Sequence, residues 1–112
     1  MEKNVEIEGI KIGLKVSAGT VRSYRDQFGR DLIQDMGQIE AEILANQIMT
    51  PETTKLAENI IYLMAREKNS DIGTIEEWLE QFSPYFIFNA ITHVIIMWRE
   101  NVRTLNKSKK KI

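Results

Sequence analysis

Very few groups in this chain could start a chemical reaction. Its 112 residues include one histidine, His93, and no cysteine. A lone imidazole acts as base, proton shuttle or ligand only beside a partner group. No H-x-x-x-H pair, acidic calcium loop or glycine-rich phosphate loop supplies one. The missing cysteines exclude disulfides and thiolate metal sites. Glu76 and Glu77 are adjacent carboxylates, but neighbours on a helix splay apart, and both suit a first turn, where the helix dipole favours negative charge. These residues predict no catalytic site, no metal and no cofactor. An enzyme built on an unrecognised carboxylate set is the residual reading.

The chemistry that remains is contact chemistry. Met36, Met49, Met64 and Met97 carry adaptable thioethers that fill irregular gaps in cores and in protein-binding grooves. Trp78 and Trp98 suit a core, and tryptophan is also common among interface hot spots. His93 reads as a partly exposed helix residue.

The elements that position these groups follow from periodicity. Val5, Ile7, Ile10, Ile12, Leu14 and Val16 alternate with charged or small residues except across Glu8-Gly9. This predicts a hairpin, residues 4–8 against 10–16. Ser17 caps a helix over 18–27, with Val21, Tyr24 and Phe28 inward and a break at Gly29. A helix from Arg30 places Leu32, Met36, Ile39 and Ile43 on one stripe, and Gly37 inside it allows two shorter helices. Thr50-Pro51-Glu52 starts a helix to about Lys68, with Leu56, Ile60, Leu63 and Met64 on one face. Thr74 and Glu77 form a capping box that sets Trp78, Leu79 and Phe82 inward. Ser83-Pro84 opens the final helix, which runs to about Leu105.

That final helix is unusually apolar. Asn89, Thr92, His93, Arg99 and Glu100 share one arc, and Ile96 lies among them. Phe86 to Trp98 otherwise fill about 200° of the wheel, against roughly 100° for an ordinary surface helix. Such a helix requires cover on two sides. The expected architecture is α+β and mostly α: a hairpin packed on about five helices, residues 1–106 forming one domain and 107–112 a disordered basic tail.

Charge narrows the partners. Residues 1–98 carry a net −6 and residues 99–112 a net +5. An acidic body is wrong for phosphate contact. The helix pair across Gly29 suggests a helix-turn-helix, but its second member presents several carboxylates and one basic residue, Arg30. A small DNA-binding or regulatory protein is the alternative reading, which this charge pattern disfavours. Residues 1–20 lack signal-peptide features, and no run reaches the roughly 18 apolar residues of a membrane span. A cytosolic protein without a membrane segment is expected.

The order of segments resembles the tail assembly chaperones of long-tailed phages and prophages of Gram-positive bacteria. The resemblance rests on the hairpin, on Tyr24-Arg25-Asp26-Gln27-Phe28-Gly29-Arg30-Asp31-Leu32, on Ile75-Glu76-Glu77-Trp78-Leu79-Glu80-Gln81-Phe82 and on Met97-Trp98-Arg99-Glu100-Asn101. Gly37 departs from the uninterrupted helix that it implies. It implies a homo-oligomer in the host cytoplasm that coats the tape-measure protein, hands it to the major tail protein and is missing from the mature virion. Members of that family often have a longer frameshifted second product, and A-rich lysine codons at Lys109–Lys111 would suit such a slip. Trp78, Phe82, Phe88, Ile95 and Trp98 are the expected partner contacts. Phe88 and Ile95 lie toward the edge of the apolar arc, where the chain's own core covers them least.

Overall fold

A computed structural model describes residues 1–46 and 48–110, the side chains of residues 46 and 103–110 excepted. The chain begins with the expected hairpin. Strand β1 (Glu2–Ile7) pairs antiparallel with β2 (Ile10–Lys15), Val5 opposite Ile12 and Ile7 opposite Ile10. The two residues between them take positive φ, 55° at Glu8 and 78° at Gly9. This is the I′ geometry that matches the twist of the flanking strands. Val5, Ile7, Ile12 and Leu14 point into the core. Glu2, Glu6, Lys11 and Lys15 face outward as opposed charge pairs.

Helix α1 (Ala18–Phe28) starts at Ser17, whose Oγ accepts from the Gly19 N–H while its own N–H donates to Thr20 Oγ1. It ends at Gly29, left-handed at φ 67°, whose N–H donates to the Arg25 carbonyl. Helix α2 (Leu32–Asn46) follows after one tight corner. It runs unbroken through Gly37, so the two-helix option does not occur. Helix α3 (Pro51–Lys68) is capped by Thr50, with Pro51 in its first turn. Helix α4 (Ile75–Leu79) is short and closes the Thr74–Glu77 capping box. Helix α5 (Phe86–Lys110) completes the chain. The architecture is thus α+β and mostly helical, a two-stranded hairpin with five helices.

The core has a different centre from the one the sequence suggests. Helix α3 is enclosed on all sides: Ala57 and every residue from Ile60 to Ala65 are buried. It packs against β2, α1, α2, α4 and α5. Among its described side chains, helix α5 buries Phe86, Ile87, Ala90, Ile91, Val94 and Met97. Its main packing partners are α3 and β1. It also continues past the expected end at Leu105, through most of the segment read as a tail. Lysines are adequate helix formers, and cations near a helix C-terminus are favoured by its dipole. Lys111 and Ile112 lie outside the described residues.

Candidate protein-binding surface

The surface that stands out is an open groove between α2 and α5. Ile43 and Leu44 line one wall, Thr92, Ile95 and Ile96 the other, and the hollow is about 220 Å³. The Arg99 Nε–Hε donates to Glu40 Oε2 at 3.2 Å and so joins the two helices at the rim. On α2, Ile33 (60% exposed), Gly37, Glu40 and Leu44 (71%) recur at helical spacing and share the outer face. On α5, Phe88 lies one turn before Thr92 on the groove side, and it and Ile96 are both 44% exposed.

Polar ties hold these walls. At the α1–α2 corner, Tyr24 Oη–H donates to Asp35 Oδ2 at 2.6 Å. The Arg30 guanidinium donates to both carboxylate oxygens, Nε to Oδ2 at 2.8 Å and Nη2 to Oδ1 at 2.9 Å. Asp35 and Tyr24 are buried. Burial raises the Asp35 pKa, but the hydrogen bonds from Arg30 and Tyr24 outweigh it, and the carboxyl stays below its usual range. The Tyr24 hydroxyl is pushed well above its usual range, first by burial and then by the Asp35 charge. Tyr24 therefore remains a donor. At the other end of α2, Glu42 accepts from the Thr50 N–H at 2.9 Å and from the Thr53 hydroxyl, which lowers its pKa. Its charge thereby sits at the N-terminus of α3, where the dipole favours it.

The start of α5 is anchored from the hairpin turn. Glu8 accepts from the Ser83 N–H at 2.8 Å and from the Ser83 hydroxyl. These bonds hold the Glu8 carboxyl below its usual range. They also account for a glutamate at a left-handed position where asparagine is the commoner choice.

The five expected contact residues separate into two groups. Trp78 is 4% exposed and belongs to the core. Its ring meets Tyr62, Phe82 and Phe86 edge-on, with centroids 5.8, 5.1 and 5.5 Å away. Phe82 is half-buried and stacks on Phe86 at 3.9 Å. Both residues fasten α4 and the start of α5 to α3. Ile95 lines the groove, Phe88 is exposed one turn before Thr92 on the same face of α5, and Trp98 is partly buried against the core. Leu44, Ile43, Ile33 and Ile96 were not anticipated. Their signal was present in the sequence: Ile33 and Leu44 lie eleven residues apart on one line of the helix, about 100° around from the stripe of Leu32, Met36 and Ile39.

Asp35 is a correction in another sense. It is not presented outward from α2, as a recognition-helix reading requires, but is spent inside the corner with Arg30. His93 borders a shallow hollow with Glu6, Glu8 and Asn89. Among the described residues, no cluster of His, Cys, Asp or Glu has the makings of a metal site. No described helix is long and apolar enough to cross a membrane. What the groove offers chemically is shape, apolar area and one ion pair. No family model matches the chain, and neither a curated protein nor a solved structure matches it.

Proposed function

We propose that the protein is a phage tail assembly chaperone that binds and solubilises the tape-measure protein, and releases it as tail-tube subunits polymerise. The observation that carries the proposal is the α2–α5 groove. Exposed Leu44 and Ile96 line a concave face, with exposed Phe88 beyond it on α5, on a chain whose few reactive groups do not converge. A groove of this kind suits the apolar stripe of a client helix. The resemblance of the ordered segments names the client, because a tape measure is a long helical protein with apolar seams.

Glu40 and Arg99 at the rim temper the affinity. They leave the groove adequately hydrated when it is empty and let the major tail protein displace the chaperone. The test is co-expression with the tape-measure protein of the same locus. The complex is expected to elute as one species, and Leu44→Asp or Ile96→Asp should return the tape measure to the insoluble fraction. An insoluble tape measure in the presence of the unaltered chain refutes the proposal. DNA binding is separated by salt: phosphate contacts weaken steeply with added salt, whereas apolar contacts do not.

A further inference from the structure

We infer that the hollow where α3, the end of α4 and the start of α5 meet accepts an arginine side chain of a partner protein. It holds about 270 Å³, just below the roughly 300 Å³ at which sites for drug-sized ligands begin. One long side chain fits such a space, and a whole helix does not. Leu79, Phe82, Phe86 and Ile87 give it apolar walls, and Glu58 and Glu80 give it charge. Among the described residues, none of those lining it is basic.

Glu58 is the residue that needs an explanation. Five described carboxylates are withdrawn from full exposure: Asp31, Asp35, Glu40, Glu42 and Glu58. The first four each accept a hydrogen bond within the chain. Glu58 accepts none: burial raises its pKa, and the charge of Lys55, three residues earlier on α3, only partly offsets this. A charge partly removed from water and left unpaired costs stability. Nothing among the described residues offsets that cost, whereas a cation brought by a partner would. Glu80, exposed at the end of α4, adds a second carboxylate at the rim.

The aromatic wall selects among cations. Phe82 stacks on Phe86, with centroids 3.9 Å apart and planes 13° from parallel. A planar guanidinium lies on such a surface and still forks to a carboxylate, whereas an ammonium is a compact, strongly hydrated charge. The aliphatic stem of an arginine also covers apolar wall that a bare cation leaves wet. The chain's own basic end is out of reach, because the 25 residues of α5 place it about 37 Å from this hollow.

The test titrates the isotope-labelled full chain with N-acetyl-arginine methylamide and follows backbone amides by NMR. The amides of Glu58, Glu80, Phe82 and Ile87 should shift together and saturate, with a Kd of about 1–10 mM. N-acetyl-citrulline methylamide keeps the shape without the charge, and it should bind at least about fivefold more weakly. Glu58→Gln removes an unpaired charge, so the variant folds, and it should weaken the arginine probe by about the same factor. Glu80→Gln, at an exposed position, should weaken it by about twofold. No saturation by about 50 mM, equal affinity for the citrulline probe, or undiminished binding by Glu58→Gln overturns the inference. The hollow shares no lining residue with the α2–α5 groove, so failure of either leaves the other standing.

Discussion

Asp35→Asn removes the charge on which Tyr24 and Arg30 converge, while keeping the shape of the side chain. Tyr24 can still donate to the amide oxygen, so that bond survives at neutral strength, about 1 kcal/mol instead of about 2. The Arg30 fork loses its charge partner and one of its two acceptors. The guanidinium is 47% exposed, so it returns partly to water, and the full cost of breaking a buried pair is not reached. The substitution should cost about 2–3 kcal/mol. With an m of about 1.5 kcal/mol/M, the urea midpoint read by circular dichroism falls by roughly 1.3–2 M.

Acid supplies the control. The Asp35 pKa is lowered in the fold, so its contribution is present above the unfolded value of about 3.9 and is lost as pH falls through the folded value. The gap between wild type and variant should therefore be constant from neutral pH to about 5 and close below about 4. A gap under about 0.5 kcal/mol at neutral pH, within the range of an ordinary surface substitution, would refute the clamp. So would a gap of undiminished size at the lowest pH where the protein folds.

Two glycines should respond with opposite sign. Gly29→Ala forces a side chain into a left-handed position and should cost about 1–2 kcal/mol, whereas Gly37→Ala should stabilise by about 0.5–1 kcal/mol. Both are read as urea midpoints, and neither added Cβ meets a neighbour, so backbone preference alone sets the result. Trp78→Ala should cost about 3–5 kcal/mol by leaving a cavity among Tyr62, Phe82 and Phe86. Phe88→Ala should stay within about 0.5 kcal/mol in the same assay. Burial raises the Glu58 pKa, with Lys55 partly offsetting it, so ionisation opposes folding. Glu58→Gln should therefore be more stable than wild type at neutral pH, and the advantage should vanish as Glu58 protonates in acid.

Local chemistry made most of the elements legible before the fold was known. The Glu8-Gly9 turn, the Ser17, Thr50 and Thr74 caps and the Gly29 break each act through bonds to near neighbours in the chain. What the sequence concealed depends on contacts between distant segments. The apolar arc of α5 suggested a helix enclosed on two sides, but enclosure fell to α3, whose Tyr62 and Ala65 complete a ring that periodicity on one face cannot reveal. Asp35 looked like a surface carboxylate because its partners, Tyr24 and Arg30, are recruited by the corner at Gly29. Ile33 and Leu44 were passed over because a helix with one good stripe, Leu32 to Ile43, gives no reason to look for a second.

The groove's own energetics indicate how a chaperone of this kind would have to work. Leu44 and Ile96, which line the groove, and Ile33 and Phe88, exposed beyond it on the same two helices, are about 30–55% covered, so burying what remains yields roughly 1–1.5 kcal/mol each. Four such residues give about 4–6 kcal/mol, while association costs about 4 kcal/mol at the very least. One groove on one client helix therefore binds feebly, and no rearrangement of these residues makes it tight. Useful holding must come from many copies spaced along a long client, each bond adding through proximity and none slow to break. Strengthening one groove, for example by replacing Glu40 and Arg99 with leucine, should raise affinity for the client and also slow its release to the growing tube. The ion pair across the rim adds to a reversibility that the small apolar area already secures.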